Sequence, residues 1–134
     1  MVKGLGPLAG KIVIDTVNPL TANFELAVGH GDSAGEVVAR LAPGARVVKA
    51  FNTTGANNMA DSRYSDGKLM MPVAGDDADD KRTVLSLAAD LGFEGVDVGP
   101  LAMSRYLEPM AMVWIKLALT QKMGRDFGFA RRRR

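Results

Sequence analysis

The sequence contains no cysteine, which excludes disulfides, thiol nucleophiles and thiolate metal sites. It contains a single histidine, His30. That residue lies in the glycine-rich stretch "VGHGDSAG", where spacing sets no carboxylate beside it, so it reads as a surface-loop residue rather than a base. The same stretch superficially resembles a phosphate loop but lacks a lysine and a strong preceding strand. Long uncharged hydrophobic runs are also missing. The most apolar stretch, Leu101–Leu119, carries Arg105, Glu108 and Lys116, too many charges for a membrane span. The opening "MVKGLGPLAGK" lacks the apolar run of a signal peptide, so a soluble, cytoplasmic protein without membrane partners is expected. No basic patch is interleaved with aromatics, so nucleic acid is not an expected partner. There is no repeat, low-complexity segment or linker, and 134 residues suit one domain spanning 1–134.

The charge balance is concentrated at one end. The formal charge is +2, yet the last four residues are Arg131–Arg134. Without them the body is at −2. A tail this short is expected to be a disordered, solvated terminus.

What is present reads as alternating strands and helices. "KIVID" (11–15) is a continuous β-branched run, the pattern of a strand buried on both faces. Asn18-Pro19 then marks a turn. "SAGEVVARLA" (33–42) predicts a helix, with Ser33 and Glu36 at capping-box spacing and Val37, Val38 and Leu41 on one face. "RVVKAF" (46–51) is the next strand, and "KLMMPVAG" (68–75) a third, where Pro72 suggests an edge or an irregularity. "DDADDKRTVLSLAADLG" (76–92) predicts a helix with acidic residues at its start and Val84, Leu87, Ala88 and Leu91 inward. "GVDVG" (95–99) is a short strand. Gly99-Pro100 leads into a long, widely apolar helix from about Leu101 to Lys122, carrying Trp114 and Met103, Met110 and Met112 as core or as a dimer surface.

The order β-α-β-β-α-β-α is that of an α/β fold with a mostly parallel sheet. Ligands in such sheets bind beyond the carboxyl ends of the strands. Here those ends are "TVNPL", "NTTGANNM", "GDDADD" and "GPLAMS", loops of small, amide or acidic residues with little to titrate near neutral pH. Loops of this kind let backbone approach a flat cofactor closely. Hydride transfer between cofactors asks for positioning more than for an acid or base. Asp76, Asp77, Asp79 and Asp80 read as helix capping rather than a metal site. Lys49, on a strand, is expected to snorkel to solvent.

Four stretches, "GKIVIDTVNPL", "ARLAPGARVVKAFNTTGANNM", "VAGDDADDKRTVLSLAADLGFEGVDVGPL" and "RYLEPMAMVWIKLA", together resemble the F420-dependent NADP oxidoreductases, a group of dinucleotide-binding enzymes that includes the reductase domain of the STEAP metalloreductases. The resemblance covers nearly all of residues 8–129. It implies the C-terminal part of a Rossmann-like NADP-binding fold and hydride transfer between NADP(H) and the deazaflavin F420 or a flavin (FMN or FAD). It places Asn18, Pro19 and Leu20 near the nicotinamide, and Ala50, Phe51, Asn52, Thr53 and Thr54 around the second ring. Gly99, Pro100 and Leu101 would close the site. No residue is implied as a general base.

The family's glycine-rich turn, G-x-G-x-x-G, has no counterpart in these residues: "GLGPLAG" (4–10) has the wrong spacing and no strand before it. The chain resembles the C-terminal two-thirds of a member, and on its own is expected to be a weak catalyst. The resemblance also implies a homodimer through the 101–122 helix. A non-catalytic, dimerising or partner-completing module is the alternative reading.

Overall fold

The computed structural model describes residues 2–134 and contains a four-stranded sheet in the order β1-β2-β3-β4. The strands are β1 (Ile12–Asp15), β2 (Arg46–Lys49), β3 (Met70–Gly75) and β4 (Glu94–Gly99). The helices are α1 (Ala34–Leu41), a short α2 (Ala56–Ala60), α3 (Ala78–Asp90) and α4 (Ser104–Ile115). All seven expected elements are found, and the sheet is mixed and mostly parallel. β1 pairs with β2 and β3 with β4 in parallel, whereas β2 and β3 run antiparallel.

That antiparallel step overturns one expectation. The strand ends do not share one rim. The loops after β1 and β2 leave one end of the sheet, and those after β3 and β4 leave the other.

Two other strand readings change. β1 is an edge strand, so Ile12, Val13 and Ile14 are half-buried rather than covered on both faces. β3, despite Pro72, is internal. Its pairing with β2 is confined to Val48–Lys49 against Ala74–Gly75, and a register shift falls between Val73 and Ala74. Pro72 therefore sits where β2 has already left the ladder and no N–H is required.

Helices α1 and α3 begin where the sequence says they should, whereas the short α2 was not expected. Ser33 caps α1, its hydroxyl accepting from the Glu36 N–H at 3.2 Å and donating to the Glu36 carboxylate at 2.7 Å. Asp77 caps α3 by accepting from the N–H groups of Asp79 and Asp80. These bonds, led by that to Asp80, hold the Asp77 carboxyl below its ordinary range. The inward face of α3 is Val84 and Ala88 with Leu85 packed beside them, while Leu87 and Leu91 are exposed. On α1 the buried positions are Ala34 and Gly35, and Leu41 is exposed.

Alternation along β2 sorts its side chains. Val48 and Ala50 join Met71, Val73, Val84, Ala88 and Phe93 in the apolar core under α3. Val47 and Lys49 point to the opposite face, toward α1 and α4.

The expected 101–122 helix is three pieces: a 3-10 turn at Leu101–Met103, α4, and a π turn at Lys116–Thr120. Pro109 lies within α4. The chain then turns at Lys122 and Gly124, both at positive φ, and residues 125–129 run back over the molecule. There the Phe129 carbonyl accepts from the Met70 N–H at 2.8 Å, on the stretch of β3 that β2 does not reach. No helix among the described residues is long and apolar enough to cross a membrane.

Candidate functional site

The loops after β1 and β2 meet through two asparagines. Asn18 donates from Nδ2 to the Asn52 carbonyl at 2.8 Å, and Asn52 donates from Nδ2 to Asn18 Oδ1 at 3.0 Å and to the Leu107 carbonyl at 3.1 Å. Asn52 therefore does not cap its own backbone; its bonds cross the fold to β1's loop and to α4. Its Oδ1 is buried without a partner. The turn depends on Phe51, whose φ of 60° swings the chain out of the sheet directly after β2.

Beneath this pair lies a buried ionic cluster that sequence reasoning did not find. Lys49 is 0% exposed, so it does not snorkel to solvent. Its Nζ donates to Asp15 Oδ2 at 2.9 Å, to Glu108 Oε1 at 2.8 Å and to the Val17 carbonyl. An ammonium has three N–H donors, and these three acceptors satisfy it.

The parallel register sets Asp15 beside Lys49. Asp15 also turns the loop by accepting from the Val17 N–H at 3.0 Å. Glu108 accepts in addition from the Ala34 and Gly35 N–H groups at 3.0 and 3.1 Å. A carboxylate at the N-terminus of α1 is favoured by the helix dipole. Two carboxylates against one ammonium leave the cluster at net −1, offset by that partial positive end.

Gly35 makes the approach of α1 to α4 possible. A Cβ there would fall 2.7 Å from Ser104 Oγ. Arg105 pins the same two helices from the outside. Its guanidinium bonds both oxygens of Glu36 at 2.9 and 2.6 Å and holds that carboxyl below its usual range.

The structure brings some of the expected site residues together and separates others. Asn18, Pro19 and Leu20 are half-buried, and Thr54, also half-buried, accepts from Asn58 Nδ2 at 2.8 Å. Ala50, Phe51, Asn52 and Thr53 are buried. Gly99, Pro100 and Leu101 are not brought to the asparagine pair. Leu101 is buried, its N–H bonds Asp76 Oδ1 at 2.9 Å, and it shares a surface pocket with Val47, Arg46 and Asp80. The 3-10 turn and the first turn of α4 stand between Leu101 and Leu107. His30 is exposed in its loop.

The pair offers neutral amides, and the ions beneath it are paired with one another. Such a site can orient a flat, uncharged ring system, but it presents no free group to take up or release a proton.

No protein-family model matches the chain. A solved structure from Arthrobacter sp. FB24, of a protein proposed to be an F420-dependent NADP reductase, superposes with a TM-score of 0.84 at 36% identity. The match covers 94% of this chain and 59% of that one. The resemblance read in the sequence holds, and the fold is that of the NADP reductases. The hypothetical protein SMa0349 of Sinorhizobium meliloti is also 36% identical, with a TM-score of 0.69 over 77% of this chain and 52% of that one. Metalloreductase STEAP3 of Rattus norvegicus is 35% identical over 105 residues, 78% of this chain and 21% of that protein. The chain spans less than two thirds of the length of each of these relatives.

Proposed function

We propose that this chain forms the ring-facing part of an oxidoreductase that moves hydride between NADP(H) and F420 or a flavin. The observation that carries the reading is the reciprocal Asn18–Asn52 amide pair, which joins adjacent strand ends at the position where α/β sheets bind cofactors. Amides donate and accept without titrating, which suits the uncharged edges of nicotinamide and flavin rings. Asn18 and Pro19 would hold the nicotinamide end; the half-buried Thr54 would meet the second ring. The bound cofactors supply the hydride chemistry. This chain's own residues orient them and keep the base of the site rigid.

Calorimetric titration of the 134-residue chain with NADPH, and separately with oxidised F420 or FMN, tests the reading. F420 or FMN is expected to bind at micromolar affinity and NADPH more weakly, because these residues include no G-x-G-x-x-G turn for a pyrophosphate. If neither ligand binds, the reading is wrong.

A second reading, self-association, rests on a different observation. Tyr106 and Val113, a heptad apart on α4, are 68% and 51% exposed, and half-buried Met110 lies between them. An apolar stripe on an outer helix face favours a partner, and a second copy of α4 would cover it. Light scattering during size exclusion is expected to give a dimer mass that Tyr106→Lys/Val113→Lys converts to a monomer. A wild-type monomer at high concentration would rule the dimer out.

A further inference from the structure

Lys49, Asp15, Glu108 and the Asn18–Asn52 pair form one connected cluster, and the connections are specific. Val17, whose carbonyl Lys49 holds, directly precedes Asn18. Glu108, whose carboxylate Lys49 holds, directly follows Leu107, and the Leu107 carbonyl is an acceptor for Asn52. Asp15 ends β1 and shapes the turn into Val17. One ammonium thus holds the residue beside each of the two that the Asn52 amide bonds: Val17 by its carbonyl, next to Asn18, and Glu108 by its carboxylate, next to Leu107.

We propose that Lys49 is a positioning residue that sets the Asn18–Asn52 pair for its ligand. What the pair holds rests on the function proposed above; the positioning of the pair does not. Lys49 touches no ligand in this scheme. Its three donors are divided among β1, the loop after it and α4, and among the described residues no other side chain hydrogen-bonds all three segments. Any buried ammonium needs three acceptors; here two of the three lie beside Asn18 and Leu107, the residues that the Asn52 amide bonds. The third bond, to the Val17 carbonyl, adds no charge neutralisation and fixes the backbone that presents Asn18. Arginine could not replace it, because a planar fork does not fit three acceptors arranged around one nitrogen.

The test separates positioning from stability. In the charge-free variant Lys49→Met/Asp15→Asn/Glu108→Gln no ion is left buried without a partner, so the fold is retained while the three-way grip is lost. The readout is the side-chain amide signals of Asn18 and Asn52 in a proton–nitrogen correlation spectrum of the full chain.

In the wild type these signals are expected to exchange slowly with solvent. In the triple variant they should move toward the position of exposed asparagines and exchange faster, and affinity for oxidised FMN should fall about tenfold. Unchanged amide signals in a folded triple variant would overturn the proposal. Should that variant fail to fold, Glu108→Gln alone decides the matter, because it keeps the side chain's shape and one oxygen for Ala34 or Gly35 while removing the charge that Lys49 holds. The Asn52 amide signal must then shift, and one that stays in place overturns the proposal. If neither F420, FMN nor NADPH binds the wild type while the amide signals respond as described, the cofactor reading fails and the positioning role stands.

Discussion

Lys49→Met is expected to be among the most damaging single substitutions in the chain, costing about 3–5 kcal/mol. The side chain is similar in length and apolar, so the loss is not one of packing. Removing the ammonium leaves Asp15 and Glu108 both buried with their mutual repulsion unopposed. It also leaves the Val17 carbonyl without its donor. The cost of a buried ion pair lies mainly in breaking it: two charges taken out of water together roughly balance, but a lone one does not. The direct measurement is a urea denaturation series on the wild type, Lys49→Met and Lys49→Met/Asp15→Asn/Glu108→Gln. The single variant should lose most of its stability and the triple should regain much of it. If Lys49→Met proves as stable as the wild type, the ion cluster does not exist in solution as described.

The same cluster shows where sequence reading reaches its limit. β1, α1, β2, β3, α3 and β4 are legible because each is governed by local signals: hydrophobic period, a capping box at Ser33 and Glu36, an Asp77 cap, glycine stops. The asparagine pair was also within reach, because strand ends are where α/β sheets bind ligands, and the family resemblance pointed to the same two loops. Lys49 was not. On a single strand, a lysine followed by a loop looks like one that snorkels, and its true environment is made by Asp15, distant in sequence, and by Glu108, more distant still. The one available signal was Glu108 itself, a carboxylate amid the apolar residues Leu107, Ala111 and Met112. A charge on the buried side of an apolar helix needs a buried partner, and Lys49 was the cation of β2 flanked by apolar residues on both sides, Arg46 standing exposed at the strand's start.

The antiparallel step between β2 and β3 was hidden for a related reason. The connection through α2 fits a parallel or an antiparallel return, and its sequence, "ANNMA", is too short to form a helix on propensity alone and sets two asparagines at its centre. α2 is held by tertiary bonds from Asn57 and Asn58 rather than by propensity. Because of that step, Gly99–Leu101 belongs to the far rim of the sheet and not to the asparagine pair.

Those tertiary bonds make the second large effect predictable: deleting residues 125–134 should destabilise the domain by about 3–5 kcal/mol. The segment is tied down at several points. Phe127 stacks on Trp114 with ring centroids 5.4 Å apart. The Phe127 carbonyl accepts from Trp114 Nε1 at 2.9 Å and from Asn58 Nδ2 at 2.8 Å, and Asn57 Nδ2 reaches the Arg125 carbonyl at 2.9 Å. Without the segment, Asn58 and Trp114 each lose the Phe127 carbonyl, Asn58 keeping only its bond to Thr54, and Met70 exposes an open β3 edge where Phe129 now pairs. An open edge invites association with other chains.

Removing Arg131–Arg134 alone should do far less. Arg131 meets Glu94 and Arg132 meets Asp66, but exposed pairs of this kind contribute little. The single tryptophan is the reporter. Its emission should shift to the red in the longer deletion, because Trp114 is buried against Phe127, and should stay unchanged in the shorter one. If both deletions leave the emission and the melting midpoint where they were, the returning segment is not part of the folded unit. If both shift them equally, the arginines themselves hold it in place. The separate outcome, loss only when Phe127 goes, would mean that the loop bearing Asn52 and Thr54 rests on the chain's own last strand-like segment, so that ligand binding at the asparagine pair should weaken with it.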